Sequence, residues 1–368
     1  MSCLILVPIY QSHLSEDEKL TLDRVCHIMD KHPVSFLAPE HMRGFLTGKG
    51  YDAVYVPDGC MNSRLSYNRL FLDADFYLKF EDYEYILVCQ LDVFVFHDKL
   101  DEFCGLGYDY IGAPSVLRRN DCGMYELYGG NGGFSLRKVK GIRKLLMNHA
   151  EEVASWTGLE DEYFSYCGEQ YENEFCVAPF HIAKTFAFDR FARYMYRANN
   201  FELPMAKHAW LIYDVAFTQT LLDDAGISLK IMRDMSQSLE QALLELHQFL
   251  ATKDIIYIYG AGMWGTDLGY YLETLDIGID GYIISDGQKK KDLCCNRYTV
   301  SYLSQIANFS DRTGVIVAIS RRFIDEQEYS GIVNTLQNHG AASILFMDAV
   351  LYNAIGEKLL EQRWGDNK

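Results

Sequence analysis

The feature that most constrains this chain is a set of near-continuous apolar runs, each too uniform for a sheet with one wet face. Residues 4–10 (LILVPIY) form the first, and residues 83–90 (YEYILVCQ) continue the pattern. Strands buried on both faces read this way, and they occur where helices cover a parallel sheet. Between the runs, residues 16–31 have helical character, and residues 33–37 and 51–56 read as further strands. The alternation predicts an α/β layer. Tyr67, Phe71, Ala74 and Tyr77 recur at helical spacing and predict a helix over residues 63–80.

At 368 residues the chain exceeds the usual size of one hydrophobic core, so two domains are expected. Residues 101–114 and the glycine-rich 129–133 read as loops, and helical periodicity returns over 139–153. In residues 238–250, Leu239, Leu243, Leu246 and Leu250 share one face, with Ser238 and Gln241 placed as a capping box. Beyond that helix a new α/β unit opens, with strands expected at 254–259, 281–285, 315–319 and 344–347. The expected organisation is a first domain over 1–235, a connecting helix over 236–252 and a second domain over 253–368.

A net charge of −17 makes nucleic acid and anionic membrane surfaces poor partners. The ten cysteines form no C-x-x-C pair, which fits reduced thiols and a cytoplasmic protein. The opening MSCLILVPIYQSH lacks a basic leader and is too short an apolar run for a membrane anchor; it reads as a strand.

Two acidic sites compete for a cation. Asp73 and Asp75 form a literal D-x-D, but on a helix residues two apart point roughly 200° apart and cannot share one ion. Gln90 and Asp92 share a face at a strand end, where open α/β sheets place their ligands. Asp92 then either holds Mg²⁺ or Mn²⁺ with a histidine and a diphosphate, or caps a turn. Four glycines around Asn131 (Gly129, Gly130, Gly132, Gly133) either let backbone approach a ligand or make a tight turn. Glu160 and Asp161 are either reactive carboxylates or ordinary charge at a helix start. His208, near Trp210, is either a ligand or a core histidine.

Taken in order, VPIY at 7–10, SYNRL at 66–70, YEYILVCQLDVFVF at 83–96, GYDYIGAP at 107–114, GNGGFSLRKV at 130–139, LEDEYF at 159–164 and KHAW at 207–210 resemble a bacterial glycosyltransferase family. That family has the GT-A fold, is catalogued as a domain of unknown function, and occurs among capsule and surface-polysaccharide genes. The resemblance spans roughly residues 1–235. It implies that Val7, Pro8, Ile9 and Tyr10 hold the nucleotide, and that Asn68 and Arg69 face the donor, with Arg69 on its diphosphate. Asp92 takes the metal-binding role with His208, and Gln90 stands where a first carboxylate is expected. Gly130, Asn131, Gly132 and Gly133 line the sugar and acceptor pocket. Asp161, in a pair with Glu160, takes a proton from the acceptor hydroxyl.

In the second half, GAGMWG follows an expected strand and opens a helix, the context that raises a G-x-G-x-x-G above background. Gly260, Gly262 and Gly265 with Asp286 read either as a nucleotide or NAD pocket or as a Rossmann-like turn without a ligand. No Tyr-x-x-x-Lys set accompanies them. The resulting expectation is a hexosyltransferase type of glycosyltransferase that moves a sugar from a nucleotide-diphosphate donor to a glycan or lipid-linked acceptor. It would work in the cytoplasm, at the inner membrane face through its acceptor, with Mn²⁺ or Mg²⁺ as cofactor and inversion if Asp161 is the base. The alternatives are a non-catalytic carbohydrate-binding scaffold and an NAD-dependent oxidoreductase built on the second domain.

Overall fold

The computed structural model describes residues 2–120, 122–232, 238–288, 293–294, 297–306, 309–320 and 326–365. Its contacts divide the chain into two units, Met1–Leu211 with Phe217–Lys230, and Ile212–Ala216 with Ile231–Lys368. The boundary expected at residues 235–236 lies outside the described residues.

The first unit contains eleven described strands: β1 (Cys3–Pro8), β2 (Val34–Pro39), β3 (Ala53–Val56), β4 (Tyr85–Cys89), β5 (Val93–Val95), β6 (Tyr110–Ala113), β7 (Val116–Arg119), β8 (Tyr125–Tyr128), β9 (Asn131–Lys138), β10 (Ala187–Phe188) and β11 (Ala206–His208). Six of them form a sheet in the order β3-β2-β1-β4-β9-β6, in which β1 to β4 run parallel and β9 runs antiparallel to both its neighbours. Along β1 and β4, alternate residues enter two separate cores. Ile5, Val7 and Leu87 pack on one face, and Leu4, Leu6, Ile86 and Val88 on the other. Each fully buried aliphatic side chain contributes about 1.5–3 kcal/mol, which explains why these runs tolerate no polar alternation. A small sheet, β10-β11-β5, and the antiparallel hairpin β7–β8 complete the strands.

Two local expectations change. Residues 63–80 are not one helix: a helix spans Arg64–Phe71, and a 3₁₀ turn follows over Phe76–Phe80. Asp73 breaks the run by accepting the backbone N–H of Asp75 on its own Oδ1 at 2.9 Å. The literal D-x-D is therefore an exposed turn. The glycine-rich segment is likewise not all loop, because Asn131 already begins β9. Glycine is required on both sides of this close approach: a Cβ on Gly130 would lie 3.0 Å from the Gly112 Cα, and one on Gly112 would lie 2.6 Å from the Asn131 carbonyl oxygen, at the register shift between β6 and β9.

In the second unit, β12 (Ile255–Tyr259), β13 (Gly281–Ile284), β14 (Leu293–Cys294), β15 (Tyr298–Tyr302), β16 (Thr313–Val317) and β17 (Ser343–Phe346) form a sheet ordered β14-β15-β13-β12-β16-β17. All pairs are parallel except β14–β15. The helix Leu239–Leu250 lies in this unit and packs on the helix Ala349–Gly365. Ser238 caps it by accepting the Gln241 N–H at 3.1 Å. The Gln241 side chain turns instead to Glu245, so the capping is not reciprocal.

Candidate functional site

In the first unit, β1 is joined onward to β2 on one side of the sheet while β4 lies on its other side, which makes the carboxyl ends of β1 and β4 a topological switch point. A cavity of about 540 Å³ opens there, lined by Pro8 and Tyr10 after β1, Gln90, Leu91 and Asp92 after β4, Glu18, and Met61, Asn62, Ser63, Arg64 and Tyr67. Of the VPIY segment, only Pro8 and Tyr10 face the cavity; Val7 and Ile9 point into the core, as strand alternation requires.

Gln90 and Asp92 lie in the turn between β4 and β5. The Gln90 backbone N–H donates to the Gly133 carbonyl at 2.9 Å, and its side-chain amide donates to the Tyr67 hydroxyl at 3.3 Å. The small sheet brings in the histidine. β11 pairs with β5 so that His208 sits opposite Val93, beside Asp92, and β10 pairs with β11 so that Asp189 follows alongside His208. The result is a chain of three groups. His208 Nδ1 lies 2.9 Å from Asp189 Oδ1, and its Nε2 lies 3.2 Å from Asp92 Oδ1. The His208 ring and Asp189 are buried, and the Asp92 side chain is 41% exposed. Nε2 is buried and faces Asp92. Burial opposes charge on this imidazole, but Asp92 and Asp189 outweigh it and push its pKa up to about 10. A single positive charge between the carboxylates is what this arrangement demands, and either a proton or a metal cation supplies it.

The residues present fit a divalent cation in part. Asp189 anchors Nδ1, an arrangement that orients Nε2 as a ligand, and Asp92 Oδ1 stands at the spacing of two donors sharing one ion. Gln90 adds an amide oxygen: a Cβ on Gly133 would lie 2.3 Å from His208 Nε2 and 2.8 Å from Gln90 Oε1, so both reach the same bare stretch of backbone. Among the described residues, no group of three or more His, Cys, Asp and Glu side chains is arranged to hold a metal. Any ion here needs oxygens from a ligand.

Asp161 sits on the first turn of the helix Glu160–Gln170. Its Oδ2 accepts the Gly132 N–H at 3.0 Å and its Oδ1 accepts the Glu162 N–H at 2.9 Å. Burial and the neighbouring Glu160 charge push its pKa up to about 7, against the lowering effect of those two N–H groups. Gly132 and Gly133 are consecutive, so Asp161, through the Gly132 N–H, and Gln90, through the Gly133 carbonyl, are held by neighbouring residues of β9. Asn131 is turned back on that strand, its Oδ1 accepting the Gly133 N–H at 2.7 Å.

Three further expectations are corrected. Arg69 does not face the cavity; its guanidinium donates to the backbone carbonyls of Val153, at 3.0 Å, and Trp156. Arg64, five residues earlier on the same helix, is the cation on the cavity wall. Asn68 is buried and caps the helix that carries Asp161, its Oδ1 accepting the Glu160 N–H at 2.9 Å. Glu160 is buried in an ion pair with Arg137 at 2.8 Å and is no free acid. Sequence reasoning passed over Asp189 and Arg137. Asp189 carries no spacing signal to His208, and Arg137 has no pattern that ties it to Glu160.

In the second unit, Gly260 has φ of 108°, and a Cβ on Gly265 would lie 1.9 Å from the Gly260 carbonyl oxygen, so both glycines are needed for the turn itself. Gly262 caps the helix Met263–Thr274. Asp286 does not end a strand; it lies in the turn after β13 and accepts both the hydroxyl and, at 3.2 Å, the N–H of Ser304. Those bonds hold its pKa below the usual carboxylate range.

No helix among the described residues is long and apolar enough to cross a membrane. Comparison with curated proteins finds no match. Among solved structures, the chain is similar to the apo-form glycosyltransferase GlyE of Streptococcus pneumoniae TIGR4, at 12% identity and a TM-score of 0.36, over 99% of each chain. It is also similar to mouse xyloside xylosyltransferase 1, at 11% identity and 0.38, over 56% of this chain and 97% of that one. A glycosyltransferase involved in glycosylation of the major capsid of PBCV-1 matches at 12% identity and 0.33, over 60% of this chain and 98% of that one. Residues 50–208, from just before β3 to the end of β11, match the model of a protein family of unknown function, DUF5672.

Proposed function

We propose that the first unit is a glycosyltransferase of GT-A type that uses a nucleotide-diphosphate sugar, with a glycan or lipid-linked acceptor of surface-polysaccharide synthesis. The observation that carries this reading is the cavity at the β1–β4 switch point, whose wall joins Asp92 to the buried Asp189–His208 pair. In this reading Pro8 and Tyr10 pack against the nucleoside, and Arg64 with the N–H groups at the start of its helix meets the diphosphate. Asp92 and His208, with Gln90 beside them, would hold a divalent cation whose shell the diphosphate completes. When bound, such a cation neutralises charge on the departing nucleotide.

The chain's own groups do the rest. The space beside Gly132 and Gly133 is taken by Glu160 and by His208 with Gln90, so these glycines seat the side chains of the site. Asp161, poised near neutrality, accepts the proton of the acceptor hydroxyl as that oxygen bonds to the anomeric carbon and the nucleotide diphosphate leaves with the bonding pair. One displacement inverts that centre. The test is transfer or donor hydrolysis by the full chain with and without Mn²⁺. Asp161→Asn should lower turnover by about 10²–10⁴-fold with donor affinity retained; unchanged turnover would remove Asp161 as the base.

For the second unit, the parallel order β15-β13-β12-β16-β17 is that of a doubly wound sheet. With Asp286 committed to Ser304, we read it as a Rossmann-like module for binding or assembly rather than an NAD-dependent oxidoreductase.

A further inference from the structure

We propose that Arg137 and Glu160 are positioning residues: a buried ion pair that fastens β9 to the helix Glu160–Gln170 and thereby fixes the Asp161 carboxylate against the Gly132 N–H. The inference rests on Asp161 being the base in the proposed reaction.

Arg137 is fully buried, with its guanidinium 4.3 Å from the Phe71 ring centre and 5.5 Å from that of Phe164. A buried pair of charges is costly, and hydrophobic side chains in its place usually stabilise a fold as well or better. Packing alone therefore gives no reason for it. Its connections do. Arg137 Nη2 donates to Glu160 Oε1 at 2.8 Å and to the Gly132 carbonyl at 3.3 Å, and Nε donates to the Ser135 hydroxyl, which itself donates to the same carbonyl at 2.9 Å. Gly132 is thus held through its oxygen by Arg137 while its N–H is presented to Asp161. From the helix side, Asn68 accepts the Glu160 N–H. The residue before the base is pinned at both backbone and side chain.

The pair also sets the charge around Asp161. The charged and titratable groups facing it are Glu160 and Glu162 on its own helix, Arg137 on β9 and the Tyr110 hydroxyl on β6. Glu160 is the largest of these in raising its proton affinity.

The experiment is carboxyl-carbon NMR of the full-length protein labelled at aspartate, with Asp161 assigned through Asp161→Asn, alongside the pH dependence of kcat/KM. Glu160→Gln removes the like charge, and Arg137→Met/Glu160→Met removes the pair with apolar replacements in case the single variant does not fold. In Glu160→Gln the Asp161 midpoint should fall by about one pH unit; in the double variant, where both charges go, the Gly132 amide should lose the downfield shift that the Asp161 carboxylate gives it. The acid limb of the rate profile should move down with the midpoint, and kcat should fall while the donor KM holds. A midpoint unmoved in Glu160→Gln, or a Gly132 amide shift retained in the double variant, overturns the proposal and leaves the pair structural. Because the NMR titration needs no substrate, it decides this question even if the wild-type protein transfers no sugar, an outcome that would instead defeat the proposed function.

Discussion

Asp161 gives the site its pH dependence. The folded protein keeps that proton to about pH 7, whereas a free carboxyl loses it near 3.8. In that window the folded state binds more protons than the unfolded, so this group's contribution to stability falls as pH rises from about 4 to about 7. Asp161→Asn is free of that loss. Urea titrations at about pH 5 and about pH 7.5 should show the variant gaining about 2 kcal/mol relative to wild type at the higher pH; a constant difference would show that Asp161 is not held protonated. In the proposed cation site, Asp189→Ala should weaken Mn²⁺ binding, read by calorimetry without substrate, by about 10–100-fold, because His208 loses the group that orients it. Sequence displayed Asp92 and His208 as isolated residues with ordinary alternatives. What joins them is the register of three short strands, one of only two residues, and register is invisible until strands pair.

At the level of elements, the long buried strands were legible because their apolar runs admit no other environment, and β1 and β4 fall within them. The small sheet was not, since β5, β10 and β11 are too short to show a period. The SYNRL helix shows a different limit. Its helical spacing was readable, but which cation faces the cavity depends on where the helix stops and what its far side meets. Arg69 is drawn off by backbone carbonyls near residues 153–156, and Asn68 by a helix start about ninety residues away in sequence. Asn68→Ala should therefore act as a lost helix cap, costing about 0.5–2 kcal/mol in chemical denaturation, with turnover falling more than donor affinity. A loss confined to donor affinity would return Asn68 to the cavity wall.

At the scale of the whole molecule, two α/β units on one acidic chain account for the length and for the new strand series after residue 253. The glycine fingerprint was easy to see and is explained by its own turn, since Gly265 must clear the Gly260 carbonyl. Motif strength and ligand binding are separate matters here, and the weaker-looking QLD sits at the better placed sheet edge. The bare backbone of Gly132 and Gly133 carries a practical implication. Glu160 fills the space beside one and His208 with Gln90 the space beside the other, so a larger residue at either position would displace the groups that the site is built from. Variation belongs instead at Tyr10, Glu18 and Arg64, which line the cavity itself.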